Sequence, residues 1–437
     1  MEERVRKEAL ARARARVEEM SVVELIRVEV GGMSVGEKCG LTALLSMIVL
    51  LITFLIYLGW FWAIGLNQAT VDTRICLLPH ATPDASLPCT PHTVHIYPNG
   101  GNNTGSPNDA LTLVFSPCNT TLFALAHLGW EGLGADKASP PEVRAYSGVG
   151  IQMCSIHDLL ESGYTSVTSP GTLRMFLVHA SDYWFWPGLY VGHVARAAHI
   201  LSPTSGKPVE IETLALEPRL FVIRDFVSLA EAGRIISTAN SSLARSQVLD
   251  TDGDGSSESA VSTVRTSSQT WLGWWWWNAM GSVRTRIEKL TSISDQNGER
   301  LQVIRYTKDQ HYHAHHDYFD PDIHIHRKDL ASGRNRMITV LFYLSNVTKG
   351  GETYFPRAHP PLGVGRSTSA SFTDCGSALT VPPSPGDAIM FYSMHPIGAP
   401  DGVLDMSSLH GGCDVVEGVK WGANVWLNNR REFQLVP

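Results

Sequence analysis

A run of 26 residues without a charged side chain, 41–66, divides this chain into two parts of different character. A helix over this run would be about 39 Å long, which exceeds the roughly 30 Å hydrocarbon core of a membrane. Trp60 and Trp62 stand near its far end, where aromatic side chains suit the membrane interface. The length of the run and its distance from Met1 disfavour a cleaved signal peptide, and its length also disfavours a buried core helix. The run therefore predicts one transmembrane helix.

Basic residues give this helix an orientation. Residues 1–38 contain eight Lys and Arg, whereas the far flank offers only Arg74 before Lys137. The positive-inside rule then makes 1–40 a cytosolic tail and 41–66 a signal anchor, with the rest of the chain in a lumen. We expect a single-pass type II protein of the endoplasmic reticulum or Golgi membrane.

Cysteines and glycosylation motifs agree with an oxidising lumen. An even number of cysteines follows the apolar run, which favours disulfides; they are Cys76, Cys89, Cys118, Cys154, Cys375 and Cys413. Asn-x-Ser/Thr motifs also follow it, at Asn102, Asn119, Asn240 and Asn346.

Residues 67–208 combine a Pro-, Gly- and Asn-rich linker with short apolar runs, which predicts a small β-rich or mixed domain with no assigned chemistry. Its aromatic string Tyr183–Trp186 is predicted to be core rather than a ligand platform. The net charge is −7, and residues 209–437 contain no strongly basic stretch interleaved with aromatic residues. Nucleic acid is therefore not an expected partner.

From residue 209 to 437 the pattern becomes that of a mainly β domain with flanking helices. Helical spacing covers Leu229–Ala239, with Ser228 as N-cap, and a second helix covers Val283–Leu290. Short strands separated by Gly and Pro turns then predict a double-stranded β-helix, or jelly roll. These strands are Gln302–Tyr306, Met337–Leu344, Gly351–Phe355, Ser377–Val381, Ala388–Tyr392 and Val419–Leu427.

One H-x-D triplet, His315-His316-Asp317, lies among these strands. In an extended strand, side chains at i and i+2 share a face, so His315 and Asp317 can reach one metal while His316 points away. A third imidazole from His410 would complete a 2-His-1-carboxylate set, which is typical of non-haem Fe(II) oxygenases. Lys420, ten residues after His410, offers a fixed cation to a co-substrate carboxylate.

Residues 209–437 resemble the prolyl 4-hydroxylase branch of the 2-oxoglutarate- and Fe(II)-dependent oxygenases. The motifs that carry the resemblance are Arg265–Leu272, Arg305-Tyr306, Tyr312–Phe319, Arg336–Thr339, Tyr343-Leu344, Gly350–Pro356, Pro385–Ala388, Ser408–Cys413 and Gly418–Trp421. The resemblance implies His315, Asp317 and His410 as iron ligands. It also implies that Lys420 holds 2-oxoglutarate, with Tyr306 and Thr353 lining the same pocket.

The implied reaction hydroxylates a prolyl C4 in a proline-rich polypeptide, consumes O2 and 2-oxoglutarate, and releases succinate and CO2. Ascorbate would maintain the iron. The resemblance further implies that Tyr312, Arg336 and Trp426 contact the peptide. The alternatives are that Tyr312 and Trp426 are core aromatics and that Arg336 forms a surface salt bridge.

Further residues stay open at this point. The resemblance implies a Cys375–Cys413 disulfide, while the other four lumenal cysteines allow three pairings. Trp274–Trp277 depart from the family pattern, and could stack on proline rings or pack against the upstream domain or the membrane. Asn428 and Asp414 also depart from it. The neighbouring histidines could form a zinc tract instead; they are His311, His313, His324 and His326.

Two alternative functions remain beside prolyl hydroxylation. One is a 2-oxoglutarate oxygenase that modifies another residue, such as lysine. The other is a non-catalytic lumenal binding protein that keeps the jelly roll. The intact set of His315, Asp317, His410 and Lys420 favours an enzyme, and the sequence indicates no oligomeric state.

Overall fold

The structure of the chain is a computed structural model. It describes residues 82–100, 110–134, 143–162, 172–246, 266–273, 280–358, 375–376, 378–396 and 402–431. The predicted cytosolic tail, the predicted membrane span 41–66 and Trp274–Trp277 lie outside these described residues. Within the described ranges, no helix combines the length and apolar character needed to cross a membrane. Ile75–Pro437 forms one compact unit.

The upstream part of this unit is a mixed α/β module. Its sheet has the strand order β2-β1-β5-β3-β4, with β1 parallel to β5. The strands are β1 His92–Pro98, β2 Leu111–Phe115, β3 Val143–Tyr146, β4 Gln152–Met153 and β5 Thr172–His179. Two helices, α1 Leu122–Gly132 and α2 Ile156–Ser162, pack their apolar residues on this sheet. The module therefore has a hydrophobic core of its own.

The downstream part is a double-layered β-structure. Its large sheet is antiparallel throughout, in the order β6-β7-β8-β17-β13-β20-β11-β10-β9. These strands are β6 Val194–Leu201, β7 Pro208–Ala215, β8 Leu220–Ile223, β9 Ala244–Arg245, β10 Ser268–Leu272, β11 Leu301–Tyr306, β13 Arg336–Tyr343, β17 Ala388–Tyr392 and β20 Lys420–Asn428. The predicted boundary at 208/209 falls just after the first residue of β7, so the large sheet begins upstream of that boundary, at β6.

A smaller antiparallel sheet, in the order β12-β18-β15-β16, faces the large one. Its strands are β12 Tyr312–His315, β15 Thr353–Phe355, β16 Leu379–Val381 and β18 His410–Gly412. A separate two-stranded pair is formed by β14 Val347–Gly350 and β19 Val415–Gly418. Buried side chains of both sheets, among them Ile304, Leu341 and Phe355, fill one core between the layers. This arrangement is the predicted mainly β, jelly-roll architecture.

Helices α3 Leu229–Asn240 and α4 Gly281–Thr291 flank the large sheet, and α5 Arg327–Leu330 is a single turn. The Ser228 hydroxyl accepts from the Glu231 amide while the Glu231 carboxylate accepts from the Ser228 amide, which confirms the predicted N-cap as a full capping box. Predicted strands also match observed ones to within one residue at each end, namely β11, β13, β17 and β20.

The aromatic string Tyr183–Trp186, which we call the strap, joins the module to the large sheet. Trp184, Phe185 and Trp186 are each 1% exposed or less, so the core prediction is confirmed. The Phe185 ring stacks on Tyr392 of β17 with 4.5 Å between centroids. The Trp186 indole donates to the Leu290 carbonyl in α4. The strap therefore fixes the module against the catalytic β-structure.

Disulfides connect the expected cysteines. Cys375 and Cys413 are bonded, with their Cα atoms 6.1 Å apart, as predicted. A second bond joins Cys89 to Cys118, and Cys154 is also disulfide-bonded. Cys413 directly follows β18, so the first bond braces the strand that carries His410.

Serine at both Cys375 and Cys413 is expected to lower the free energy of unfolding by about 2–4 kcal/mol, because the bond closes a 38-residue separation. Urea denaturation measures the change. Serine at Cys89 and Cys118 is the matched control: it removes a 29-residue link far from β18 and should lower stability without changing turnover at a temperature where both variants stay folded. Equal turnover in the two variants would contradict a bracing role for the Cys375–Cys413 bond.

Candidate metal centre and co-substrate pocket

Antiparallel pairing of β12 with β18 brings the predicted metal ligands together. His315 and His410 are direct partners across the two strands, although 95 positions separate them in the chain. Their ring centroids lie 4.5 Å apart. Asp317 follows two residues after His315, and its buried carboxylate faces both rings. Strand pairing and the i, i+2 spacing thus bring the three side chains to one point.

The donor atoms are arranged around a space rather than bonded to one another. Asp317 Oδ1 lies 3.6 Å from His315 Nε2, and Asp317 Oδ2 lies 3.6 Å from His410 Nε2. Both separations are too long for hydrogen bonds. Each Nδ1 meets a backbone carbonyl, at 2.9 Å on His313 and 3.0 Å on Ser408, so that Nε2 keeps its lone pair for a metal.

This donor set fits an Fe(II) ion. Within the described ranges, His315, Asp317 and His410 form the group of potential ligands whose donor atoms all lie within 4.8 Å of one another. Two imidazoles and one carboxylate on one side leave the opposite side open, which is the facial arrangement that non-haem iron requires. The structure therefore brings together the three ligands that the sequence analysis named.

Electrostatics keeps Asp317 and His410 in their ligating states. Burial raises the pKa of Asp317, but the facing imidazoles of His410 and His315 lower it more, with a smaller contribution from Arg336, so the net pKa lies well below its usual range. Burial lowers the pKa of His410 to about 4, against the opposing effect of Asp317. At neutral pH the carboxylate is therefore ionised and the imidazole is neutral, as metal binding needs.

Thr339 of β13 supports the aspartate from the facing sheet. Its buried hydroxyl donates to Asp317 Oδ2 over 2.7 Å. This bond fixes the rotation of the carboxylate and leaves the other oxygen directed at His315. The sequence showed Thr339 only as part of a motif, because nothing local reveals that β13 packs over the H-x-D turn.

Replacement of Thr339 by valine, which is nearly isosteric, is expected to weaken Fe(II) binding about 10- to 100-fold, because a supporting hydrogen bond on a ligand is lost. Turnover followed while Fe(II) is titrated gives the apparent affinity. Thr213→Val is the matched control, since Thr213 is equally buried but lies in β7. An unchanged iron affinity in Thr339→Val would show that the hydroxyl does not orient the ligand.

Lys420, the first residue of β20, supplies a buried cation next to this centre. It is 3% exposed, and its Nζ lies 5.6 Å and 5.8 Å from the ring centroids of Tyr306 and Tyr343. Within the described ranges no oxygen accepts a hydrogen bond from its ammonium. A Cβ added at Gly412 would stand 3.9 Å from Nζ, which places the ammonium beside the strand that carries His410.

The surroundings of Lys420 fit a carboxylate. Burial lowers the pKa of Lys420 to about 8, and the charge of Glu352 opposes that shift. The Tyr343 hydroxyl donates to Thr353 Oγ1 over 2.9 Å, so two hydroxyls stand at the same wall. A buried ammonium of this kind requires an anionic partner. The predicted pocket residues Lys420, Tyr306 and Thr353 are thus together, and Tyr343 joins them.

The three predicted peptide residues make contacts within the protein. The Tyr312 ring stacks on His315 with 3.8 Å between centroids. The Arg336 guanidinium lies 3.8 Å from the ring centroid of Trp426 and forms two hydrogen bonds to Glu299, at 2.7 and 2.8 Å. Trp426 is itself nearly buried. These contacts are those expected if Tyr312 and Trp426 are core aromatics and Arg336 forms a salt bridge. Contact of the three residues with a peptide stays a prediction.

The remaining histidines have other partners. His311 contacts Asp414 at 2.9 Å and stacks on His313, while His326 accepts from the Asp320 amide. His316 points out of the centre, as expected, and its ring contacts the Met406 carbonyl at 3.2 Å. Within the described residues no zinc cluster forms, because the metal-ligating group found is the one at His315. The departure at Asp414 is thus a surface contact to His311.

Comparison with known proteins identifies the family. Residues 301–428 match the model of the 2OG-Fe(II) oxygenase superfamily. The chain is 40% identical to "Probable prolyl 4-hydroxylase 4" of Arabidopsis thaliana over 223 residues, which cover 51% of this chain and 71% of the relative. It is 39% identical to "Prolyl 4-hydroxylase 2" of the same plant over 232 residues, 52% of this chain and 74% of the relative.

Among solved structures, the viral collagen prolyl hydroxylase vCPH of Paramecium Bursaria Chlorella virus-1 is 23% identical. The match covers 48% of this chain and 95% of that one with a TM-score of 0.34, a likeness too distant to add to the sequence relationship. The relationship to the plant proteins is sufficient by itself. The chain belongs to the prolyl 4-hydroxylase family and is a 2-oxoglutarate- and Fe(II)-dependent dioxygenase.

Proposed function

We propose that this protein hydroxylates the C4 atom of prolyl residues in proline-rich polypeptides. The observation that carries the proposal is the pairing of two sites on one strand. The iron-ligand set meets at His410 of β18, and the buried Lys420 ammonium lies beside the same strand. The relationship to plant prolyl 4-hydroxylases supports proline as the target.

In this proposal, His315, Asp317 and His410 hold the metal, and Lys420 holds the distal carboxylate of 2-oxoglutarate. When bound, Fe(II) would activate O2, which oxidises 2-oxoglutarate to succinate and CO2 with one oxygen atom and leaves the other as a hydroxyl group on the substrate. The protein residues bind, orient and exclude water. Phe355 and Phe391 pack against the His410 ring and keep that side of the centre apolar.

The hydroxyls of Tyr306 and Thr353 line the co-substrate pocket in this proposal. Their position beside Lys420 suits a carboxylate, which takes hydrogen bonds from neutral donors as well as from an ammonium. Ascorbate, typical of the family, would sustain turnover by keeping the iron reduced.

Tyr312, Arg336 and Trp426 form the proposed peptide wall. The Tyr312 ring lies on His315, and Arg336, which covers the Trp426 ring, reaches the Asp317 carbonyl at 3.4 Å, so this aromatic wall adjoins the metal ligands. Proline-rich segments suit such surfaces because they are extended, rigid and free of internal hydrogen bonds.

The test is turnover by purified protein with Fe(II), 2-oxoglutarate and ascorbate. A proline-rich peptide should gain one oxygen by mass and stimulate succinate release. Omission of Fe(II) is the control. Release with lysyl peptides alone would favour the other oxygenase reading, and no turnover with any peptide would favour a binding protein.

We further propose that the catalytic unit lies in the lumen of the secretory pathway, behind a type II anchor at 41–66. The disulfides support an oxidising compartment. The asparagines of three N-x-S/T motifs, Asn119, Asn240 and Asn346, are exposed, which glycan attachment requires. Protease protection in sealed microsomes, together with a mobility shift after endoglycosidase treatment, would support this topology. Digestion of the catalytic unit without membrane lysis would contradict it.

A further inference from the structure

Tyr183, the first residue of the strap, is held rigidly by the module. The Asn99 side chain donates to the Tyr183 carbonyl over 2.7 Å and accepts from the Phe185 amide over 3.1 Å. Trp184 and Trp186 next to it are buried. The backbone that carries the Tyr183 ring is therefore held by Asn99 of the module and by the buried strap.

The Tyr183 hydroxyl reaches a buried amide of the catalytic part. Asn297 Nδ2 donates to Tyr183 Oη over 3.0 Å and to the Asn428 carbonyl over 2.9 Å. Asn428 Nδ2 returns a bond to the Asn297 carbonyl over 3.2 Å. Both hydrogens of the Asn297 amide are thus used, and loss of the Tyr183 hydroxyl would leave one of them buried without an acceptor.

The same network continues to the proposed peptide wall. Asn428 is the cross-strand partner of Arg336, and its Nδ2 lies 3.4 Å from Glu299 Oε1. The Glu299 amide donates to the Trp426 carbonyl over 2.9 Å. Glu299 then holds Arg336 through both carboxylate oxygens. Asn428, a departure from the family pattern, is therefore the link between the module and the Arg336–Trp426 pair.

We propose that Tyr183 is a positioning residue through which the upstream module sets the affinity for the polypeptide substrate. Tyr183 positions Asn297, Asn297 positions Asn428, and Asn428 with Glu299 positions Arg336 over Trp426. The inference rests on the proposed function, because it assigns the Arg336–Trp426 pair to the peptide. The family match covers residues 301–428, so Tyr183, Asn297 and Glu299 lie in a part of the chain that the family model does not cover.

The hydroxyl is not needed to attach the module. The other strap contacts remain in Tyr183→Phe, including those of Trp186 with Leu290 and of Phe185 with Tyr392. The variant should therefore fold and keep its iron and 2-oxoglutarate sites. Its effect should appear at the peptide wall alone.

Tyr183→Phe is expected to raise KM for the peptide about threefold to tenfold, the range that corresponds to the net contribution of one hydrogen bond. The kcat and the KM for 2-oxoglutarate should stay at wild-type values. Tyr190→Phe is the matched control, because Tyr190 is nearby in the chain, exposed and outside the network. It should leave all three constants unchanged.

A double-variant cycle separates this coupling from a general structural effect. If Tyr183 acts through Asn297, the combination Tyr183→Phe/Asn297→Ala should show the peptide KM of Asn297→Ala alone. An unchanged peptide KM in Tyr183→Phe, or additive effects in the combination, overturns the inference. In that case prolyl turnover by the wild type would still support the proposed function. If the wild type hydroxylates lysyl peptides instead, the proposed function fails, and the same comparison with those peptides decides the inference. If the wild type turns over no peptide, both the inference and the proposed function are overturned.

Discussion

His315→Ala is expected to abolish succinate release and peptide hydroxylation, whereas His316→Ala, one position further on, should keep most of the wild-type activity. His315 Nε2 belongs to the donor set around Asp317, while the His316 ring points away and meets the Met406 carbonyl. Loss of one of three ligands should exceed the roughly 10- to 100-fold effect of losing a supporting contact. We therefore expect a fall in turnover of more than about 100-fold.

The measurement pairs turnover with bound iron after the protein is equilibrated with Fe(II) and freed of excess metal. Wild type and His316→Ala should retain about one equivalent of iron, and His315→Ala should retain little. Melting temperatures of the two variants show whether both are folded. Full iron content with full activity in His315→Ala would mean that another side chain completes the centre.

The contrast between these adjacent histidines was predictable because it depends on local geometry. An extended chain places i and i+2 on one face, and β12 and the turn after it keep that relation for His315 and Asp317. The strands around them were predictable for a similar reason, since β-branched and aromatic runs between Gly and Pro turns identify strands such as β13 and β17 without reference to the rest of the chain.

Contacts between distant segments were not predictable in this way. Thr339 meets Asp317 only because the two sheets stack, and Tyr183 meets Asn297 only because the strap packs against the catalytic part. Neither contact leaves a periodic or compositional trace. The start of the large sheet at β6 was missed for a different reason, because β6 and β7 form a local hairpin that lies upstream of the family motifs.

Lys420→Met is expected to raise KM for 2-oxoglutarate by about 100-fold or more and to leave Fe(II) binding unchanged. Methionine fills the same buried volume but carries no charge. In the proposed complex the Lys420 ammonium and the distal carboxylate form a buried ion pair, and removal of one partner of such a pair costs about 3–5 kcal/mol. That cost corresponds to a factor of about 10²–10⁴ in affinity.

Lys349→Met is the control, because Lys349 is an exposed lysine of β14 that faces solvent. It should leave KM for 2-oxoglutarate unchanged, since exposed charges contribute little. A small change in KM for Lys420→Met, with iron retained, would mean that another cation binds the co-substrate.

The pH dependence of KM tests the same ammonium without a mutation. Burial lowers the pKa of Lys420 to about 8, against the opposing charge of Glu352. The protonated form binds the carboxylate, so affinity is complete below that pH and declines as the pH rises through it. Above about pH 8, KM for 2-oxoglutarate in wild type should rise about tenfold per pH unit. Bound co-substrate favours the charged ammonium, so kcat at saturation should change much less. In Lys420→Met this rise in KM should vanish. A wild-type KM that stays constant up to about pH 9.5 would show that Lys420 does not titrate in the free enzyme.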